Sequence, residues 1–221
     1  MARLRRVVLE RLMRYYRWLT ESSFKKPLKN VTSAQIAEAL DVDPTQVRKD
    51  FGAIGLLGMG RVGFEVCEVC RGIRHVLGFD QPYEGVMIGA GRLGSALAAY
   101  KNFARYGLEI VAVFDNDKRK IGGKVAGRTV QSMRALKPFI RRHEIRLAIL
   151  TTPAEVSQKV VDRLVSAGVK AIWNFAPVQV TVPPDVLVRN EHISLGLSEI
   201  AYHLTQLADP PEAPKSSTTA A

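Results

Sequence analysis

The pattern of hydrophobic and polar positions changes near residue 80. Before that point apolar residues recur at the three- and four-residue spacing of helices that bury one face. Beyond Glu84 short apolar runs alternate with amphipathic stretches, which is the pattern of strand–helix–strand units around a parallel sheet. The sequence therefore predicts a helical half followed by an α/β half.

The helical half is predicted to open with an amphipathic helix over residues 2–20. Its apolar positions keep helical spacing, and they are Leu4, Val8, Leu12, Tyr15 and Leu19. In the α/β half we predict strands at Gly85–Ile88, Glu109–Phe114, Arg146–Leu150 and Ala171–Asn174. The predicted helices are Leu93–Ala104, Ser132–His143 and Ala154–Ala167. A last helix is predicted for residues 193–208 (ISLGLSEIAYHLTQLA), and residues 209–221 have the composition of a disordered tail.

Two helix-start signals lie close together in the helical half. Thr32 and Gln35 have the spacing of a capping box ahead of an apolar run. Asp43 repeats the device, with Pro44 at the first helical position and Gln46 at the third. Because only about three residues separate the two helices, they must cross sharply, as they do in a helix-turn-helix.

The second of these helices has a polar face that suits DNA. Val47, Phe51 and Ile54 define its buried stripe, so other positions point outward. Arginine bonds guanine in the major groove, and lysine or threonine reaches phosphates. The residues of this helix predicted to contact DNA are Thr45, Gln46, Arg48, Lys49 and Gly52. The alternative is a plain pair of helices with a solvated basic face.

Residues Leu56–Val66 place strand-forming side chains around glycines, which predicts a hairpin that acts as a wing. Arg61 near its tip is predicted to enter a narrow minor groove, where the negative potential is strongest. Cys67 and Cys70 follow as a C-x-x-C pair. Two thiols do not complete a tetrahedral metal site, so we predict no metal and interpret both as small residues that pack a helix.

A glycine motif opens the α/β half. Gly89, Gly91 and Gly94 form G-x-G-x-x-G, with Arg92 and Leu93 between them, directly after an apolar strand and at the start of a helix. This is the context of a Rossmann dinucleotide site, in which the helix N-terminus binds the pyrophosphate.

Strand ends complete the predicted nucleotide site. Asp115 ends the second predicted strand, where an acid bonds ribose hydroxyls and repels the 2′-phosphate of NADP. This favours NAD(H), while the basic run Lys118–Lys120 leaves NADP as the alternative. Ligands bind at the carboxyl ends of such strands, which here carry Thr151, Thr152, Pro153, Asn174 and Phe175. We predict that these residues border the nicotinamide; the alternative is that they only shape turns.

The net charge of +11 suggests a polyanionic partner. Residues 1–29 carry nine Lys or Arg against two Glu, whereas residues 81–221 carry eighteen against twelve acids. Since the excess is not confined to one half, charge alone is weak support for nucleic acid. No apolar run is long enough for a bilayer and no secretory signal is predicted, so a cytoplasmic setting is expected for this cysteine-poor chain.

A dehydrogenase needs an acid or base beside the substrate carbonyl. None of the four histidines is an obvious candidate, and residues 175–221 leave little room for a substrate domain. We therefore predict that the nucleotide is a signal and that the protein is not an enzyme. The alternatives are an NAD-dependent oxidoreductase with a basic N-terminal appendage and a CoA-binding module.

Three segments carry a resemblance to a known family. QVRKDF (Gln46–Phe51), GRLGSALAAY (Gly91–Tyr100) and NFAP (Asn174–Pro177) resemble, in order and spacing, the Rex family of bacterial repressors that sense NADH and NAD⁺. The resemblance covers about residues 5–207. It implies a homodimer with a winged-helix domain, a Rossmann domain and a C-terminal helix exchanged between subunits.

The resemblance also implies roles for single residues. Arg48 and Lys49 would meet DNA, Tyr100 would lie near the nicotinamide, and Arg17 would couple the DNA-binding domain to the partner's nucleotide site. Relatives commonly have Asp before the last helix, where this chain has NEHIS, so His192 is a further predicted coupling residue. The wing segment Met59–Arg61 also departs from the family pattern, because it contains a single cation.

These observations together predict a repressor that NADH releases from operator DNA. Reduction removes the positive charge of nicotinamide, and a neutral ring enters an apolar cleft at lower cost. The predicted domains are residues 1–80 (winged helix), 81–190 (Rossmann, NAD(H)), 191–208 (dimer exchange) and 209–221 (tail). The expected partners are double-stranded operator DNA and a second copy of the chain, with no membrane and no substrate turned over.

Overall fold

The computed structural model describes residues 4–25 and 28–208, which form two compact units. The first unit contains the described residues up to Tyr83 together with Lys101–Glu109. The second contains Glu84–Tyr100 and the described residues from Ile110 onward. The predicted tail and the first residues of the predicted N-terminal helix lie outside the described residues. The predicted domain limits stay predictions.

The first unit is helical, with a small sheet. Its helices are α1 (Arg6–Lys25), α2 (Ser33–Leu40), α3 (Pro44–Ala53) and α4 (Val66–Leu77). Its two strands are β1 (Asn30–Val31) and β2 (Phe64–Glu65), and a 3-10 helix spans Lys101–Tyr106. Leu12, Tyr15 and Leu19 are fully buried, which confirms the predicted apolar face of the first helix.

Aromatic rings join three elements of this core. The ring of Phe51 on α3 meets the rings of Tyr15 and Phe64 edge-on, at centroid distances of 5.7 and 4.9 Å. Edge-to-face pairs of this kind add to the stabilisation from burial alone. The rings therefore fix α3 against α1 and β2.

Both predicted helix starts are confirmed. Thr32 Oγ1 accepts a hydrogen bond from the N–H of Gln35 at 3.2 Å, and the Gln35 side chain accepts from the Thr32 N–H at 2.8 Å. Asp43 accepts from the N–H groups of Thr45 and Gln46 at 2.6 and 3.1 Å. With residues 41–43 alone between α2 and α3, the two helices form the tight turn that the sequence predicts.

The predicted hairpin over residues 56–66 is wrong in its pairing. Strand β2 pairs antiparallel with β1, from before α2, while the wing tip is closed by a single bridge between Met59 and Gly63. Gly63 has φ +90°, and a Cβ there would lie 2.4 Å from the Val31 carbonyl oxygen. The close approach of β1 therefore requires glycine, and local sequence does not reveal a partner strand that is so distant in the chain.

The two cysteines lie on α4 in different settings. Cys70 is half-buried against the core of the first unit, as the packing interpretation predicts. Cys67 is exposed, so that interpretation is wrong for it. Among the described residues no cluster of three His, Cys, Asp or Glu side chains suits a metal ion.

The second unit is built on a seven-stranded sheet. The strands of this sheet are β3 (Tyr83–Ile88), β4 (Leu108–Asp115), β5 (Lys124–Val125), β6 (Arg128–Ser132), β7 (Leu147–Leu150), β8 (Ala171–Asn174) and β9 (Leu187–Asn190). The sheet order is β5-β6-β4-β3-β7-β8-β9. Without β5, which pairs antiparallel with β6, this is the 3-2-1-4-5-6 order of a doubly wound dinucleotide fold.

The helices of the second unit are α5 (Arg92–Ala98), α6 (Leu136–Arg142), α7 (Ala154–Ala167) and α8 (Ile193–Ala208), and a 3-10 turn at Met133–Ala135 precedes α6. Helices α6 and α7 contribute buried residues to the core of this unit, whereas residues 194–206 of α8 are exposed. The predicted helix Leu93–Ala104 ends early, because the chain continues into the 3-10 helix of the first unit, where Phe103 is buried. The predicted helix Ser132–His143 is divided, since Ser132 caps the 3-10 turn instead of α6.

Helix α8 exposes apolar side chains along its length. Its exposed large side chains are Leu195, Leu197, Ile200, Tyr202 and Leu204, each between 58 and 66% accessible. At 100° per residue, Leu197, Ile200 and Leu204 share one side, while Leu195 and Tyr202 point the other way. Within residues 4–25 and 28–208 there is no helix that combines the length and hydropathy needed to span a membrane.

Candidate functional site

Helix α3 presents a basic outer face. Val47 and Phe51 are fully buried, so the opposite side of the helix is open to solvent. The exposed residues include four of the five predicted DNA contacts from this helix, namely Thr45, Arg48, Lys49 and Gly52. Arg48 donates to Ser33 Oγ at 3.0 Å and to Thr45 Oγ1 at 3.1 Å. Its guanidinium is thereby held at the α2–α3 surface.

A buried carboxylate lies on the inner side of the same helix. Asp50 is 2% exposed, and Arg11 of α1 donates two hydrogen bonds to it, at 2.6 and 2.7 Å. Tyr15 Oη donates to it at 3.0 Å and the Gln46 amide at 2.9 Å. The network fastens α3 to α1. It also engages Gln46, whose predicted DNA contact stays a prediction.

The protonation of this network follows from its bonds. Burial alone would raise the pKa of Asp50, but hydrogen bonds from Arg11, Tyr15 and Gln46 hold it below the ordinary value. Burial, followed by the bond to Asp50, raises the pKa of Tyr15 to about 12. Asp50 is therefore a carboxylate and Tyr15 a neutral donor at neutral pH. Sequence reasoning missed this network, although Asp50 lies three residues from Val47 on the apolar side.

The wing tip carries the predicted minor-groove residue. Arg61 is exposed and has φ +64°, a left-handed conformation that is uncommon for residues other than glycine. Its neighbours Met59 and Val62 are exposed apolar residues. Arg61, the single cation of the wing, therefore lies at the wing tip, between the bridged residues Met59 and Gly63.

In the second unit the glycine motif forms a tight loop between β3 and α5. A Cβ on Gly94 would lie 1.9 Å from the Gly89 carbonyl oxygen, so the loop closes only with glycine there. A Cβ on Gly91 would meet no atom within 4 Å among the described residues. Packing of the chain thus does not explain Gly91, whereas a closely approaching pyrophosphate does.

Asp115, at the end of β4, is tied to the same loop. Its carboxylate accepts from the N–H of Ala90 at 2.7 Å and of Asp117 at 2.8 Å, and Lys120 Nζ lies 3.1 Å away. Burial would raise the pKa of Asp115, but the two backbone donors and Lys120 keep it below its ordinary value. A charged acceptor is therefore in place beside the glycine loop.

These groups meet at one cleft of about 570 Å³. The predicted residues that line it are Gly89, Gly91, Leu93, Asp115, Thr151, Thr152, Pro153 and Phe175. Lys120, from the basic run that leaves NADP as the alternative, also lines the cleft. Further lining residues, which sequence reasoning missed, include Asn116, Met133, Val156, Lys159, Val160 and Arg163. Asn116 and Met133 directly follow strand ends and Val156 lies on the first turn of α7, and that position is the signal that would have found these three.

Four predicted binding residues do not line the cleft. Gly94 is buried beneath the loop, while Arg92 and Tyr100 are exposed outside the lining. Asn174 is 1% exposed. It donates to the Val178 carbonyl and to Asn190 Oδ1, both at 2.8 Å, and accepts from the Ala176 N–H at 3.0 Å, so it shapes the turn after β8.

The predicted coupling residues lie in separate parts of the chain. Arg17 is exposed on α1, 2.7 Å from Glu21 Oε1. His192 is exposed just before α8, and its carbonyl accepts from the Leu195 N–H at 3.2 Å. Their coupling, and that of Tyr100, stays a prediction.

Comparison with known proteins covers nearly the whole chain. A family model described as "Putative DNA-binding protein N-terminus" matches residues 6–52, and one described as "CoA binding domain" matches residues 80–178. A redox-sensing transcriptional repressor Rex from Desulforamulus reducens is 39% identical over 196 residues, 89% of this chain and 93% of the relative. One from Thermoanaerobacter sp. (strain X514) is 37% identical over 90% of this chain and 88% of the relative.

Solved structures match as well. RSP, a Rex-family repressor, has been determined with β-NAD⁺ and operator DNA. That structure is 35% identical to this chain, with a TM-score of 0.87 and coverage of 94% of this chain and 95% of RSP. RSP with β-NADH matches with a TM-score of 0.85 and covers 94% of this chain and 97% of RSP.

A winged-helix unit with a basic recognition face and a Rossmann unit with a dinucleotide cleft define a class, the nucleotide-responsive DNA-binding regulators. The described fold and these relatives both indicate that this chain is of that class. The chain belongs to the Rex family of redox-sensing transcriptional repressors.

Proposed function

We propose that this chain is a dimeric repressor that binds operator DNA with α3 and the wing and binds NAD(H) in the cleft of the second unit. One observation carries the proposal. A single chain joins the outward cations Arg48 and Lys49 to a glycine-loop cleft, and RSP, at 35% identity, was solved with both operator DNA and NAD⁺.

The residues of the cleft fit a dinucleotide. The open side of Gly91 leaves room for a pyrophosphate, and the ionised Asp115 offers an acceptor for ribose hydroxyls. Thr151, Thr152 and Phe175 border the cleft on the β7–β8 side. We keep Arg92, Gly94, Tyr100 and Asn174 as proposed supporting residues of this site. Lys120 is paired with Asp115, which weakens the case for NADP.

The chain distinguishes the oxidised cofactor from the reduced one by the charge on the nicotinamide ring. The cofactor, when bound, supplies a nicotinamide ring that is cationic only when oxidised. Leu93, Phe175 and Pro177 give the cleft apolar walls, and such walls accept a neutral ring at lower cost than a cation. The chain thus binds NADH better in an arrangement that encloses the ring, and this difference in affinity shifts the equilibrium between DNA-bound and released forms.

The dimer is proposed from α8. A helix with apolar residues on two opposite sides is stable when both of those sides are buried. In α8 Leu197 and Ile200 face one way and Leu195 the other, and all are exposed in the single chain. Exchange of α8 between two copies would cover both faces and set two recognition helices on one palindromic operator.

The rival function is an NAD-dependent oxidoreductase. We propose instead that the chain turns over no substrate and acts in the cytoplasm, where a repressor meets its operator. Incubation with NADH and a panel of carbonyl compounds distinguishes the two, because a sensor consumes no NADH. Steady loss of absorbance at 340 nm would establish the enzyme.

A gel-shift titration on palindromic DNA tests the repressor function directly. Lys49→Ala is expected to weaken binding at least several-fold through loss of a phosphate or base contact. NADH is expected to release the wild-type protein from the DNA.

Asp115→Ala is expected to reduce the response to NADH and to leave the DNA affinity without nucleotide unchanged. Binding that neither Lys49→Ala nor NADH alters would refute the proposal, and loss of both properties in Asp115→Ala would indicate misfolding.

A further inference from the structure

A second cleft in the Rossmann unit is lined mainly by cations. It has a volume of about 650 Å³ and lies where the 3-10 turn, α6 and α7 meet. Its lining residues are Arg134, Lys137, Pro138, Arg141, Arg163 and Ser166. Four of these six side chains are positive and none is acidic. We call this set the basic cleft.

Within the described residues, carboxylates do not compensate the charges of the basic cleft. Among the described residues the ion pairs involve other cations, such as Arg119 with Asp117 and Lys170 with Asp185. Across residues 4–25 and 28–208, no ion pair includes a cation of the basic cleft. Like charges gathered around one concave surface repel each other, and an anion between them removes that repulsion.

Arg163 is shared by the basic cleft and the nucleotide cleft. Its guanidinium donates a hydrogen bond to the Met133 carbonyl, which fixes the side chain over the 3-10 turn. Met133 and Arg163 both line the nucleotide cleft as well. An anion in the basic cleft would therefore contact a wall of the nucleotide site.

The charge distribution along the chain agrees with a second anion site. Residues 81–221 carry eighteen Lys or Arg against twelve acids, although the recognition helix and the wing lie before this region. DNA contact by α3 and the wing leaves that excess unexplained. The basic cleft contributes four of these cations at one place.

We propose that the basic cleft binds a triphosphate group. Guanidinium groups bind phosphate oxygens in bidentate fashion, and a lysine adds a point charge. A single phosphate ester carries about two negative charges at neutral pH, so four cations suit a chain of phosphates better than one. The group occurs in inorganic triphosphate and in nucleoside 5′-triphosphates, and both are candidate sources. This inference goes beyond the proposed function, which stands or falls separately.

Calorimetric titration of the full chain with inorganic triphosphate tests the site. Lys137→Gln and Arg141→Gln are each expected to weaken binding about tenfold, the loss of one charge-assisted hydrogen bond. Arg142→Gln is the matched control, because Arg142 is exposed on the same helix and does not line the cleft. Its affinity for triphosphate is expected to stay within twofold of wild type.

Two further arms identify the location and the source of the ligand. Binding is expected to persist with saturating NADH and in Lys159→Gln, since Lys159 lines the nucleotide cleft alone. Titration with ATP in the presence of NADH then separates sources: equal affinity indicates the triphosphate group by itself, and tighter binding indicates a nucleoside triphosphate. Both results support the site.

Four outcomes would overturn the proposal. The first is no binding of triphosphate by the wild-type chain. The second is an equal loss in Arg142→Gln, which would show unspecific surface charge. The third is loss of binding with NADH or in Lys159→Gln, which would place the anion in the nucleotide cleft. The fourth is weaker operator binding in Lys137→Gln with unchanged triphosphate affinity, which would assign the cleft to the DNA interface.

Discussion

At the scale of single residues, Asp50 determines how the recognition helix is held. Its carboxylate is buried and accepts four hydrogen bonds, two of them from Arg11. A buried charge with these partners is stable, but either partner alone is strongly unfavourable. The basic outer face of α3 thus depends on an ion pair on its inner face.

Asp50→Ala is expected to lower the free energy of unfolding by about 3–5 kcal/mol, because Arg11 then loses its buried partner. Urea denaturation followed by circular dichroism measures the change. Arg6→Ala is the control, since the Arg6–Glu10 pair is exposed and contributes about 0–1 kcal/mol. Similar losses in the two variants would contradict the special role of Asp50.

The same carboxylate predicts a pH dependence. The pKa of Asp50 in the folded chain lies below its ordinary value of 3.8, so its contribution to stability is complete above that value. It is lost as the pH falls from 3.8 through the lowered folded pKa. The stability difference between wild type and Asp50→Asn is expected to be constant near neutrality and to shrink in that acidic range. A difference that grows on acidification would contradict the assignment.

At the scale of elements, the sequence predicts the features whose interacting residues lie close together in the chain. The capped starts of α2 and α3 were predicted because Thr32 and Asp43 bond N–H groups within the next three residues. The pairing of β2 with β1 was not, because the partner lies some thirty residues away. Strands β5, β6 and β9 were missed because they are short or polar and mostly half-exposed, so the alternation that marks a buried strand is absent.

The site shows the same division. The glycine loop and Asp115 were predicted from position relative to strands, and both line the cleft. Asn174 was assigned to the cleft from the same logic, yet its side chain bonds inside the turn after β8. Lys159 and Arg163 were not predicted, because a helix surface gives no sequence signal for which cation faces a cleft.

The capping box of α2 gives a prediction at this scale. Thr32→Ala is expected to cost about 1 kcal/mol of unfolding free energy through loss of the bond to the Gln35 N–H. Gln35→Ala removes the reciprocal bond, and because the two bonds share partners the double variant is expected to lose less than the sum. Strict additivity in thermal or urea unfolding would argue against a coupled cap.

At the scale of the whole molecule, the proposed dimer depends on α8. Its apolar residues point to opposite sides, so one contact surface does not cover them all. Exchange of α8 in the proposed dimer would cover both, and such a dimer would bury more apolar area than a surface contact. The proposed dimer would therefore link assembly and DNA binding through α8.

Replacing Leu197 and Ile200 together by Asp is expected to convert a dimer into a monomer, because two charges would enter a buried apolar contact. Sedimentation velocity at micromolar concentration measures the change. His203→Asp places a charge between the two apolar sides of α8 and is expected to leave the dimer intact. A wild-type chain that sediments as a monomer would exclude the exchanged helix.

The bonds from Arg11 and Tyr15 to Asp50 also limit how the chain can be shortened. A fragment that starts after Lys25 would retain every residue of the helix-turn-helix, yet its α3 would carry an ionised side chain with its strongest donors removed. Such a fragment is expected to be unfolded in isolation. The smallest fragment of this protein that folds by itself and binds DNA is consequently expected to include its first helix.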